Sequence, residues 1–132
     1  MLKQFFIVIL LVTSIFAKVQ HTYADKNFFS KKNIKIIDIR TKQEWIEEGI
    51  VKNSHLITFF DEKGSYNIPE FMRALEKVVN KNEPFALICR TGSRTRLVSD
   101  FLDKNGYKVI NILGGIVYSR ATGVKLVQYK WK

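Results

Sequence analysis

A chain of 132 residues, 46% of them hydrophobic, can hold one domain with a real core but not two ordinary ones. Its 22 basic and 12 acidic residues leave a net charge of +10, a balance that favours anionic small molecules or membrane surfaces as partners. A single cysteine excludes any internal disulfide.

The chain opens with Lys3 followed by an apolar run over residues 5–17. The run is shorter than the roughly 20 apolar residues a membrane span needs and has the shape of a secretory signal peptide. Residues 1–24 are therefore expected to be a leader, cut after Ala17 or Ala24, with residues 25–132 as one domain. Loss of residues 1–17 removes only Lys3 from the charge count, leaving +9. The expected location is periplasmic or secreted, and membrane contact is expected only through an uncleaved leader. A basic exported domain has little access to nucleic acid, so none is expected as partner.

Residues 18–33 are polar apart from Phe28 and Phe29 and read as a leader packed loosely on the domain. Residues 34–39 are mostly apolar and predict a central strand. Thr41 with Glu44 forms a capping box, so a helix is expected from Thr41 through Trp45 and Ile46, stopping near Gly49. Residues 54–57 predict a short strand and 61–67 a polar loop. Pro69 then sits in the first turn of a helix whose one face carries Phe71, Met72, Leu75, Val78 and Val79. Residues 84–88 read as a buried strand, 93–104 as a helix, and 107–113 as a last strand closed by Gly114 and Gly115. Residues 116–121 predict a helical turn, and the basic tail after Gly123 is expected to be peripheral. Alternating strands and helices imply an α/β fold, a mostly parallel sheet covered on both faces. In such sheets ligands bind outside the carboxyl ends of the strands, where Asp38 and Cys89 both fall.

Cys89 lies where the strand of residues 84–88 passes into the helix of residues 93–104. The first N–H groups of a helix lack intrahelical partners and carry positive potential. Gly92 lets the backbone curl so that several N–H groups can face one anion. Arg90, Arg94 and Arg96 add three positive charges. Loop amides, helix dipole and arginines all favour the anionic, nucleophilic form of the sulfur. An inert core cysteine would not be followed by polar, cationic and glycine residues. In an oxidising compartment an unpaired cysteine is a reactive thiol or an intermolecular linker, and the loop selects the first.

The segments Ile36-Ile37-Asp38-Ile39-Arg40 with Glu44-Trp45 and Gly49, then Cys89-Arg90-Thr91-Gly92-Ser93-Arg94, then Leu113-Gly114-Gly115-Ile116 and Gly123, resemble the single-domain rhodanese family. The resemblance covers residues 34–124 in order and spacing, which is more specific than any one motif. It implies a rhodanese-like three-layer fold and a sulfurtransferase: a cysteine takes a sulfane sulfur from thiosulfate or polysulfide, carries it as a persulfide, and passes it to a nucleophile. Carried over by position, Cys89 is the nucleophile, and Arg90, Thr91, Gly92, Ser93 and Arg94 are the substrate cradle. Asp38 would brace that loop from the neighbouring strand end, with Arg40 beside it. Arg40 also stands four residues before Glu44, where a local ion pair at the helix start is the simpler expectation. The partners implied are an anionic small-molecule sulfur donor and a thiol, cyanide or protein acceptor. Ile50 stands where the family usually has histidine, Lys52-Asn53-Ser54 replaces the usual Pro-Gly-Ala, and Ser119, beside Tyr118, replaces a common tryptophan. These departures bear on pocket shape and donor choice.

Persulfide transfer needs a thiolate and an anion-stabilising cradle but no obligatory general base. That suits a chain with two histidines, His21 and His55, both distant from Cys89 in sequence and expected at the surface. No metal ligands cluster, and neither metal nor cofactor is expected. Two alternatives stand beside the transferase. One is a non-catalytic sulfane-sulfur carrier or binding module that docks a partner on its basic surface. The other is a phosphatase or arsenate reductase on the same fold, which needs a wider, seven-residue loop ending in arginine. Counting six residues on from Cys89 reaches Thr95, with arginines at 94 and 96 instead, so the six-residue loop favours sulfur.

Overall fold

The computed structural model describes residues 18–131; of the leader expected over residues 1–24, the first 17 lie outside them. Ten elements follow in chain order. They are β1 (Gln20–Tyr23), α1 (Lys26–Ser30), β2 (Lys35–Asp38), α2 (Lys42–Glu48), β3 (His55–Leu56), α3 (Ile68–Glu76), β4 (Phe85–Ile88), α4 (Ser93–Lys104), β5 (Val109–Leu113) and α5 (Gly115–Ala121). The five strands form one sheet in the order β1-β5-β4-β2-β3, and every neighbouring pair is parallel. The sheet is therefore the α/β arrangement expected, and among the described residues it holds no antiparallel strand.

Both faces are covered, and the period of two along each strand divides the core. Ile37, Phe85, Leu87 and Val109 face α3 and α4, where they meet Phe71, Leu75, Val98 and Leu102. Ile36, Ala86, Ile88, Ile110 and Ile112 face the other way, toward Ile116 of α5 and the Phe28-Phe29 pair of α1. Strands β4 and β5 are apolar on both faces, the buried Asn111 apart, because both faces are covered. Phe59 is buried, and Phe60, Tyr66 and Phe71 pack their rings on it.

The local signals place the boundaries well. Thr41 caps α2 with both halves of the capping box formed, and Gly49 ends that helix at φ 81°. Asn67 caps α3 with Pro69 in its first turn, and α3 ends at Glu76, before Val78 and Val79. Even so, Val79 is buried in the core through a turn that continues from Leu75.

Two expectations need correction. Residues 18–33 are not a loose leader. Residues 20–23 pair with 110–113 as the edge strand β1, Ala24 is fully buried, and Phe28 and Phe29 pack on the core. The sheet thus reaches back beyond the boundary drawn at residue 25. The expectation of a peripheral tail after Gly123 holds for most of its residues, which are exposed, but not for its anchor points. Val124 is buried, Val127 exchanges two backbone hydrogen bonds with Ile50 (2.9 and 2.8 Å), and Tyr129 packs its ring on Trp45. Ile50, where the family usually has histidine, is one half of that tail clasp.

Candidate functional site

Cys89 follows the last residue of β4, at the carboxyl end of the parallel sheet, and is fully buried. Its Sγ accepts a hydrogen bond from the Gly92 amide at 3.2 Å and lies 3.6 Å from the hydroxyl of Thr95. Gly92 sits at φ 97° as the N-cap of α4, a conformation L side chains rarely adopt. It thereby turns its N–H down onto the sulfur while the helix starts above. A sulfane sulfur bonded to Sγ would extend about 2 Å further along the loop.

The loop rests on the start of α5. Ile116 N–H donates to Cys89 O at 2.9 Å, and Val117 N–H donates to Arg90 O at 3.1 Å. A Cβ on Gly115 would lie 2.5 Å from Arg90 O and closer still to Cys89 O, at a φ of 56°. This close approach is the physical reason for the second glycine after β5, and it lets one helix start carry the backbone of the loop that starts another. At Gly114, with φ 72°, a Cβ would instead lie 2.5 Å from Tyr118 Cβ.

Three of the four arginines near the loop, Arg40, Arg90 and Arg94, have a carboxylate. Arg94 grips Glu44 with two hydrogen bonds, 2.7 and 2.6 Å. Burial alone would raise the Glu44 pKa, but the bonds from Arg94 and Thr41 together with the Arg94 charge lower it to about 2. The same bonds hold Arg94 above its ordinary range against its own burial. Arg90, half exposed, donates from Nε to Glu48 Oε1 at 2.8 Å. Arg40 is fully buried and pairs with Asp38 rather than with Glu44, which corrects the local pair expected at the helix start. Its Nη2 also donates to Gly49 O at 2.7 Å.

Asp38 stands at the expected strand end, but its carboxylate is taken up by the Arg40 amide and guanidinium and makes no hydrogen bond to residues 90–94. Support from β2 passes instead through the backbone, where Ile39 N–H donates to Ile88 O at 3.0 Å. Thr91 and Ser93 are exposed on the loop, and among the described residues their side chains make no hydrogen bond. Arg96 is exposed and, among the described residues, forms no ion pair.

Neither histidine touches Cys89 among the described residues. His55 lies on β3, with β2 standing between it and β4. It is only half-buried, and burial followed by the Lys35 charge keeps its pKa below the usual histidine value. His21 is exposed and contacts the Asn111 amide at 3.1 Å. Among the described residues no group of three or more histidine, cysteine, aspartate or glutamate side chains is placed to hold a metal. A groove of about 630 Å³ runs beside the loop, lined by Thr91, Gly92, Ser93, Arg96, His21 and Asn111. Another of about 480 Å³, against Trp45, Phe59 and Phe71, includes no loop residue and belongs to the aromatic core edge.

Sequence reasoning missed Thr95 and the two glutamates. Thr95 carries the same helical spacing as any buried position of α4, and Glu44 was already explained as half of a capping box. Glu48 bore no local signal, since its partner is 42 residues away.

Comparison with known proteins joins these observations. A model of the rhodanese-like domain matches residues 21–120. A protein of Bacillus subtilis (strain 168) described as the putative sulfurtransferase YtwF is 33% identical over 82 residues, which span 62% of this chain and 69% of that one. Two solved structures share the fold. Rv0390 from M. tuberculosis aligns with a TM-score of 0.63 at 18% identity, over 82% of this chain and 100% of that one. A rhodanese-like domain protein from Staphylococcus aureus aligns at 0.61 and 24% identity, over 85% and 100%.

Proposed function

The chain belongs to the rhodanese-like family, and we propose that within it the protein is a sulfurtransferase that carries a sulfane sulfur on Cys89. The observation that carries this reading is the Gly92 amide on the Cys89 sulfur at the start of α4. A sulfur anion there is met by a backbone dipole that needs no reorganisation as charge moves outward onto a second sulfur. The thiolate attacks the outer sulfur of a sulfane donor, thiosulfate or polysulfide, and releases the remainder. The persulfide then yields its outer sulfur to a thiol, cyanide or protein acceptor. Neither half-reaction requires a general base, and the hydrogen-bond partners of the sulfur are the Gly92 amide and the Thr95 hydroxyl rather than a histidine.

Export completes the proposal. Cleavage after Ala17 leaves β1 intact, whereas cleavage after Ala24 would remove a strand that pairs along four residues of β5. The first site is therefore the one we favour, and N-terminal sequencing of protein from its native host should begin at Lys18.

Incubation with a sulfane donor should add one sulfur to Cys89, about 32 mass units, and excess cyanide or thiol should remove it. Cys89→Ser should abolish the adduct. Catalytic turnover with cyanide separates an enzyme from a carrier that loads once and waits for a protein partner. Cys89-dependent hydrolysis of arylphosphates, with no gain of sulfur, would overturn the reading in favour of a phosphatase.

A further inference from the structure

We infer that the groove beside the loop seats the sulfur acceptor, a low-molecular-weight thiol whose carboxylate pairs with Arg96. The inference rests on the sulfur-carrier reading and deepens it by giving the acceptor a class and an anchor. The groove, about 630 Å³, lies between the start of α4 and the paired strands β1 and β5. That size suits a small molecule. Arg96 and His21 are exposed within it, and Leu97 and Leu113 supply an apolar wall. An inorganic anion has no use for such a wall, whereas the carbon chain of a thiol does.

Charge selects this groove over its neighbour. A smaller groove of about 310 Å³ includes Arg94, but Glu44, Glu47, Asp61 and Glu62 line it too, and both terminal nitrogens of Arg94 are spent on Glu44. Arg40 and Arg90 line neither groove, and each has its own carboxylate. Arg96 forms no ion pair among the described residues, and none of the described side chains lining its groove is acidic. Asp100, one turn further along α4, does not line it.

The floor supports the same reading. Asn111 is fully buried, lines the groove, and stands in register with His21 across the β1–β5 pairing. Its Nδ2 lies 3.1 Å from His21 Nδ1. An amide nitrogen only donates, so Nδ1 accepts and neutral His21 keeps its proton on Nε2, on the far side of the ring from Asn111. His21 thus offers a second donor to an anion held by Arg96. Asn111 Oδ1 has no partner among the described residues, a cost that an apolar residue at this position would avoid.

The groove begins on the loop that holds the sulfur. Gly92, whose N–H meets Sγ at 3.2 Å, lines it with Thr91 and Ser93. Arg96 is one helical turn on, its N–H donating to Gly92 O at 3.3 Å. Cys89 itself is buried and does not line the groove, so the acceptor meets the outer sulfur of the persulfide, about 2 Å beyond Sγ. The sulfur of R–SH forms a new S–S bond to that outer sulfur. The bond to Cys89 breaks with its electron pair left on Sγ, and the acceptor's proton ends on R–S–SH. No further reagent is needed.

The test loads Cys89 from polysulfide and follows its discharge by mass spectrometry with 3-mercaptopropionate, 2-mercaptoethanol and cysteamine, which are negative, neutral and positive. Each thiol is compared with itself across variants, which removes differences in intrinsic reactivity. Arg96→Gln should slow discharge by 3-mercaptopropionate about fivefold relative to 2-mercaptoethanol, as for an exposed ion pair, with cysteamine slowed least. Arg96→Lys should restore most of the loss, and high salt should shrink it. Arg73→Gln, which removes the same charge from exposed α3, should leave the ranking as it is. Thermal unfolding checks that each variant is folded. Equal slowing for all the thiols, no slowing, or the same ranking from Arg73→Gln would overturn the inference and leave sulfur carriage intact. Slowed loading from thiosulfate without a charge-graded discharge would place the donor at Arg96 and overturn it too. A Cys89 that never gains sulfur would overturn both readings.

Discussion

Two arginine–carboxylate pairs lie at the same end of the sheet, at nearly the same length, and serve opposite ends. Asp38–Arg40 is 2.9 Å long with both side chains fully buried; Glu48–Arg90 is 2.8 Å long with side chains 16% and 49% exposed. The contact distance does not distinguish them. Surroundings do. A buried pair must offset the loss of hydration of both ions, which it does by mutual attraction and by further hydrogen bonds. Arg40 has such bonds, to Asp38 and to Gly49 O, so the pair ties the β2 end to the end of α2. A half-exposed pair is weak and exchangeable, and a ligand can compete for it. The first pair is scaffold; the second is open to solvent. Glu44–Arg94 falls between them in exposure and joins two helix starts 50 residues apart.

The comparison is most sharply broken at Asp38. Asp38→Ala should lower unfolding stability by about 3–5 kcal/mol in urea denaturation, because it strands the Arg40 charge in the core. Replacing both partners, Asp38→Leu with Arg40→Met, should recover most of that loss. A single-variant cost below about 1 kcal/mol would place this pair in the same class as the exposed one.

Glu44→Gln should cost less, about 1 kcal/mol at pH 7 once solvent screening of a partly exposed pair is allowed for. Its pH dependence is the better check. The folded-state Glu44 is lowered from 4.5 to about 2, so its contribution is present above about pH 4.5 and is lost as pH falls toward 2. The gap between the unaltered protein and Glu44→Gln should therefore close across that window and remain flat above it. A gap that instead widened on acidification would contradict the pairing.

The smallest stability effect belongs to Glu48. Glu48→Gln should shift unfolding by less than about 1 kcal/mol. A loss comparable to that of Asp38→Ala would mean that Glu48–Arg90 is scaffold too.

The sequence determined those features whose causes lie within a few residues. The Thr41–Glu44 box and Gly49 bound α2, helical periodicity and Gly92 bound α4, and the apolar runs became the central strands. The position of Cys89 between β4 and α4 followed in the same way, since strand, glycine and helix are consecutive. Only the tertiary structure decided the partners. Arg40 had a neighbour at helical spacing in Glu44, yet it is buried against Asp38 while Arg94 takes Glu44 from a distant helix. The polar segment Gln20–Tyr23 became a strand because β5 offered an unpaired edge, and an edge strand tolerates polar side chains. The tail residue Val127 found Ile50 for the same reason: backbone groups must be paired wherever chain packs on chain. Local sequence sets conformation through sterics and capping, but which charges meet depends on which surfaces exclude water, and only the folded chain defines those surfaces.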